Sequence, residues 1–104
     1  MNKLVGLLIA GGMLASAATF SGVITESMCG KEHKAMNMGP DPECIRACVK
    51  SSKDVKYVLY DGKSMYKLND QMTPEKYAGQ RVVITGVLFE KTGVIKVDAI
   101  HHAR

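Results

Sequence analysis

Two pairs of β-rich runs, each joined by a short glycine-containing turn, most constrain how this chain can fold. Asp61-Gly62 lies inside the first pair, and Gly93 closes the turn of the second pair. Asp-Gly between runs of β-branched and aromatic residues is typical of a β-hairpin, because glycine adopts the positive φ angle that tight turns need. The sequence therefore predicts two antiparallel hairpins. Their strands are predicted at residues 55–60, 64–69, 81–89 and 94–100.

A fifth strand is predicted at residues 19–25, before the two hairpins. Phe20 and Ile24 fall on one face of this segment under the two-residue period of a strand. Gly86 interrupts the predicted strand at residues 81–89, and a glycine inside a strand indicates a bulge or a sharp bend. We therefore expect five strands, one of which is bent.

Two helices are predicted between the strands. Segment 41–43 (Asp-Pro-Glu) combines a capping residue, a proline at the first helical position and an acid in the first turn, so we expect a helix from there to about Lys50. Segment 73–75 (Thr-Pro-Glu) repeats this pattern with Thr73 as the cap, and Gly79 is placed to end the second, short helix.

This order of elements predicts an all-β protein with short helices. Five strands, with a helix in the long connection between the first and second and a short helix between the third and fourth, is the layout of a five-stranded OB-fold barrel. The alternative is an open meander sheet with a helix packed on it. In the barrel, the long connection between the first two strands would be one of the usual ligand-binding loops.

Residues 1–17 have the features of a secretory signal peptide. Lys3 gives a basic start, residues 4–14 are apolar, and residues 15–17 (Ala-Ser-Ala) match a cleavage site. The apolar run is shorter than the roughly 20 residues of a membrane-spanning helix. We therefore expect cleavage after residue 17, a single exported domain at residues 18–104, no membrane span in that domain, and a secreted or periplasmic location.

The composition excludes several classes of function. The chain has 14 basic and 10 acidic residues, a net charge of +4, and its lysines are spread along the sequence, which does not predict a nucleic-acid partner. It contains no G-x-S-x-G elbow, no glycine-rich phosphate loop and no C-x-x-C pair. We therefore expect a binding role rather than catalysis. The sequence does not predict an oligomeric state.

The candidate functional residues are sulfur and imidazole side chains gathered in the long connection. All three cysteines of the chain lie within it, and together with His33 they form two pairs of residues four positions apart that could each face one ion from one side of a helix. Three thiolates and one imidazole form a recognised tetrahedral zinc set, and thioethers favour Cu(I). The sequence therefore predicts a copper or zinc site. Its candidate ligands are Cys29, His33, Cys44 and Cys48, with Met36 or Met38 as substitutes.

Two alternatives remain open for the same residues. In an exported protein, Cys29 could form a disulfide with Cys44 or Cys48 and close the long connection, with a stabilisation of about 3 kcal/mol. The odd number of cysteines would then leave one thiol over. Alternatively, Cys44 could be a redox-active thiol, because it would lie in the first turn of its helix, where the helix dipole stabilises a thiolate.

Two parts of the chain resemble known groups of bacterial proteins. The front, with Met-Cys-Gly at residues 28–30, His33 and Cys-Ile-Arg-Ala-Cys-Val-Lys at residues 44–50, resembles a group of uncharacterised small secreted bacterial proteins. The tail, at residues 78–86 and 95–100, resembles the closing half of small periplasmic bacterial OB-fold (BOF-like) proteins. The resemblance implies an OB-like fold and an exported location, and it implies no particular activity.

Overall fold

The structure is a computed structural model that describes residues 17–28 and 42–103. The predicted strands and helices all occur there, with ends within two residues of those expected. The elements are β1 (Ala18–Glu26), α1 (Pro42–Ser51), β2 (Tyr57–Tyr60), β3 (Met65–Leu68), a 3₁₀-helix (Thr73–Tyr77), β4 (Arg81–Phe89) and β5 (Val94–His102).

The five strands form one sheet that closes into a ring. The hydrogen-bonded order is β1-β2-β3-β5-β4, and β4 pairs again with β1. All pairs are antiparallel except β3 with β5, which is parallel. The expected all-β class is confirmed. The alternative prediction of an open meander sheet is wrong, because β1 pairs with β4 through its first half and with β2 through its second half.

Closure of the ring depends on two glycines where main chains approach closely. A Cβ atom at Gly86 would lie 2.2 Å from the carbonyl oxygen of Lys96, and one at Gly22 would lie 2.5 Å from that of Tyr60. The pairing of β4 with β5 shifts register between Thr85 and Gly86, so the expected bulge is confirmed. Because neither glycine has a side chain, the main chains can approach this closely and the strands can bend around a narrow interior.

The interior is apolar and follows the alternation of the strands. Ile24, Leu59, Ile84 and Ile95 are each completely buried and come from four different strands. Ile45 of α1 is also completely buried and joins the same cluster, so α1 packs against the sheet. The remaining buried members of the cluster are Tyr57, Leu68, Ala78, Val82 and Ile100.

The 3₁₀-helix is capped differently from the expectation. Asp70, not Thr73, supplies the accepting side-chain oxygen, and its Oδ1 accepts hydrogen bonds from the main-chain N–H groups of Met72 (2.9 Å) and Thr73 (3.0 Å). Partial burial tends to raise the pKa of Asp70, but the hydrogen bonds from Thr73 and Met72 outweigh it and lower the pKa. Gly79 follows the helix with a φ of 77°, as expected, and donates its N–H to the carbonyl oxygen of Ile24 at 2.8 Å.

Candidate functional site

Two of the six predicted ligands lie on α1. Cys44 is exposed and Cys48, one turn further along, is half-buried. Their spacing places both on the same side of the helix, as the sequence predicts. The other four predicted ligands, together with the expected helix cap Asp41, lie outside the described residues. Those ligands are Cys29, His33, Met36 and Met38.

The helix α1 is fixed to the sheet by one apolar and two polar contacts. Ile45 is completely buried against the core. Arg46 donates a hydrogen bond from Nε to the main-chain oxygen of Glu75 at 2.9 Å, and the Nζ of Lys50 lies 4.0 Å from the Oε2 of Glu75. The burial of Ile45 and the Arg46 hydrogen bond hold α1 in one orientation on the sheet, and the long, exposed Lys50–Glu75 pair adds little.

That orientation decides which way the cysteines face. Successive residues of an α-helix turn by about 100°, because there are 3.6 residues per turn. Arg46 and Lys50 therefore lie to one side of Ile45, and Cys44 and Cys48 lie to the other side. The two sulfur-bearing side chains occupy the flank of α1 that is turned away from Glu75.

The long connection leaves the sheet at a buried carboxylate. Glu26, the last residue of β1, has no exposed surface, and its Oε1 accepts a hydrogen bond from the main-chain N–H of Met28 at 2.8 Å. Glu26 is paired in register with Tyr57 of β2. Glu26 was not among the residues predicted from the sequence. The two-residue period could have found it, because it puts Glu26 on the same face as Phe20 and Ile24.

Tyr57 lies between this carboxylate and the contacts of α1. It is 2% exposed, and burial raises the pKa of its phenol; the carboxylate of Glu75 raises it further, while Arg46 opposes both effects. The side chain of Gln71 holds the main chain of Tyr57 from both sides, accepting from its N–H at 2.8 Å and donating to its oxygen at 3.0 Å. The start of β2 is thus firmly positioned.

The two cysteines of α1 do not complete a metal site with other described residues. Within residues 17–28 and 42–103, no three His, Cys, Asp or Glu side chains are grouped so that they could hold an ion. His102 instead packs its ring edge-on against Tyr77, with the ring centres 4.9 Å apart. Any third His, Cys, Asp or Glu ligand beside Cys44 and Cys48 would therefore come from outside the described residues.

Comparison of this chain with protein-family models, with curated protein sequences and with solved protein structures found no match. In the part of the chain that the structure describes, no helix has both the length and the apolar character needed to cross a membrane.

Proposed function

We propose that this protein is a small exported binding domain that holds copper or zinc in its first long connection. Cys44 and Cys48 would supply two thiolates from α1, and the rest of the donor set would come from the connection itself. Those further donors are Cys29 and His33, with Met36 or Met38 as substitutes.

The observation that carries this proposal is the direction of the two cysteines. Cys44 and Cys48 share one flank of a helix whose other flank is occupied by the contacts of Arg46 and Lys50 with Glu75. Cys44 is an exposed residue of this helix, and Cys48 is half-buried. Two thiolates one helical turn apart can bind either Zn²⁺ or Cu(I). An added imidazole would favour Zn²⁺, and an added thioether would favour Cu(I).

The fold supports the proposed location of the site. A ring in the order β1-β2-β3-β5-β4, with the short helix between the third and fourth strands, is compatible with an OB-fold barrel. In that fold, the connection between the first two strands is a usual ligand-binding loop. Export through the peptide at residues 1–17 would bring the protein to a compartment in which exported thiols meet metal ions or oxidants.

Metal competition on the reduced, exported form of the chain would test the proposal. Zn²⁺ or Cu(I) is titrated against a chromophoric chelator, and one ion per chain is expected. Cys44→Ser and Cys48→Ser should each weaken binding by more than about tenfold, since even the loss of a residue behind a ligand has an effect of that size. Ala47→Ser, an exposed position on the same helix, is the matched control and should not weaken binding.

The alternatives give different results. A disulfide-stapled interaction module predicts that Cys29→Ser lowers the free energy of unfolding while His33→Ala changes neither stability nor metal content. A redox protein predicts that Cys44 is alkylated rapidly below pH 7. Either pattern, together with an unchanged metal titration for Cys48→Ser, would contradict the metal proposal.

A further inference from the structure

A groove lies on the outer face of the sheet, where β2, β3 and β5 meet. Its volume is about 440 Å³, within the range of roughly 300–1,000 Å³ that is usual for small-molecule sites. Val58 and Val94 form its apolar part, and Val58 is only 2% exposed; Leu68 also lines the groove, but its side chain belongs to the interior cluster. The groove is distinct from the cysteine flank of α1, and neither cysteine lines it.

The register of the strands places a cation over the apolar part of the groove. Lys67 is the direct partner of Val58 on β2 and of Val94 on β5, so its side chain projects between two valines on the same face. Lys56 precedes Val58 by two residues and therefore projects on the same side as Val58. The aliphatic stems of both lysines can cover apolar surface while their ammonium groups stay in water.

The walls of the groove are held by hydrogen bonds to the main chain. Asn69 accepts from the N–H of Val97 at 2.8 Å through its Oδ1, and Ser27 accepts from the N–H of Lys56 at 3.0 Å through its Oγ. Gln71 donates to the oxygen of Leu68 at 2.9 Å. Because these polar groups already bond within the protein, the groove is formed before any ligand arrives.

The charges at the rim are available to a ligand. In the described part of the chain, the side chains of Lys56 and Lys67 are exposed and form no ion pair or hydrogen bond. Among the described residues, Asp54, also exposed, is the one acidic residue that lines the groove. Two ammonium groups beside an apolar surface attract an anion, while Asp54 repels it from one side.

We propose that this groove binds a small organic anion that has an apolar body and one acidic group, which is a carboxylate, a sulfonate or a phosphate monoester. The apolar body lies on Val94 and on the aliphatic stems of Lys56 and Lys67 above the buried Val58, and the acidic group lies between the two ammonium groups. This site is independent of the metal site proposed above.

The probe for this proposal is 8-anilinonaphthalene-1-sulfonate, which has an aromatic body and one anionic group. Its fluorescence is titrated with the folded, exported chain, and saturable binding of one dye per chain is expected. Lys56→Met and Lys67→Met should each weaken binding by about three- to fivefold, as expected for an exposed charge pair. Lys63→Met, which alters an exposed lysine in the β2–β3 turn, is the matched control and should not weaken it.

Asp54→Asn provides a test in the opposite direction, because removal of the repelling charge should tighten dye binding by about two- to threefold. Displacement of the dye by decanoate and by decyl phosphate identifies the preferred acidic group, and decanol, which is neutral, should displace it less well than either. Three results would each overturn the proposal. The first is that the dye shows no saturable binding, and the second is that Lys63→Met weakens dye binding as much as Lys56→Met and Lys67→Met do. The third is that decanol displaces the dye as well as the anions do.

Discussion

Arg46 of α1 donates a hydrogen bond to the main-chain oxygen of Glu75, at 2.9 Å, across a separation of 29 residues. This bond joins the end of the long connection to the 3₁₀-helix. Together with the burial of Ile45, it sets the rotation of α1 about its own axis. The accessible flank that carries Cys44 and Cys48 follows from that rotation, so the proposed metal site depends on a contact that no predicted ligand makes.

Removal of the Arg46 hydrogen bond should destabilise the protein. Arg46→Met keeps the aliphatic stem and should lower the free energy of unfolding by about 1 kcal/mol, measured by urea denaturation. Lys50→Met is the matched control, because the Lys50–Glu75 ion pair is long and largely exposed and should contribute close to zero. Equal losses in the two variants would contradict the role given to Arg46.

Gly86→Ala should disrupt the closure of the sheet. The added Cβ atom would lie 2.2 Å from the main-chain oxygen of Lys96, and because this neighbour is backbone it cannot simply rotate away. We expect a loss of about 3 kcal/mol in thermal or urea unfolding. Gly93→Asn is the control, since Gly93 has open space around it and asparagine tolerates its φ of 73°. A Gly86→Ala variant as stable as Gly93→Asn would show that the close approach is not required.

Thr25→Val should stabilise the protein. Thr25 is 2% exposed, and its Oγ1 has no hydrogen-bond partner within the described part of the chain. Valine has nearly the same shape and removes the buried hydroxyl, so we expect a gain of about 1 kcal/mol in the free energy of unfolding. Thr85→Val, at a half-buried position on β4, serves as the comparison. A loss of stability in Thr25→Val would indicate that the hydroxyl has a structural role.

The hairpin turn at Asp61 should make stability depend on acid pH. Hydrogen bonds from the N–H groups of Ser64 (2.7 Å) and Lys63 (2.8 Å) lower the pKa of Asp61 below its usual value near 3.8. A lowered pKa in the folded state gives stability that is complete above the unfolded pKa and is lost as the pH falls through the folded pKa.

The test for Asp61 is the urea unfolding of wild type and Asp61→Asn as a function of pH. The difference in their free energies of unfolding should be constant from about pH 5 upward and should shift against the wild type below the unfolded pKa. The reason is that the two proteins differ in one titrating group, the carboxyl of Asp61. Asp98→Asn, an exposed carboxyl on β5, is the control. A difference that does not change with pH would contradict the effect.

The strands were predictable because their determinants are local. Asp61-Gly62 defines one hairpin, Gly93 with its φ of 73° defines the other, and Gly86 marks the bulge. The cap of the 3₁₀-helix was predicted wrongly because the sequence pattern favours Thr73, whereas Asp70, from outside the helix, accepts the N–H groups of Met72 and Thr73 at its start.

The surroundings of the site were less predictable, because they arise from tertiary pairing. The alternation of β1 indicates which face Glu26 is on, but its burial requires the neighbouring elements that cover it. The groove of Lys67, Val58 and Val94 exists only because β3 pairs in parallel with β5, and no local pattern indicates that pairing. The spacing of Cys44 and Cys48 was predictable, and the flank on which they lie depends on the Arg46 contact.

The most direct test of the proposed function is native mass spectrometry of the exported protein, purified without a histidine tag. We predict a chain that lacks residues 1–17, retains all thiol hydrogens in its metal-free reduced form, and gains one copper or zinc ion when the metal is added. The Cys44→Ser, Cys48→Ser double variant should not gain it. A metal-free wild-type mass two hydrogens below the reduced value, unchanged by added copper or zinc, would contradict the metal site and indicate a disulfide.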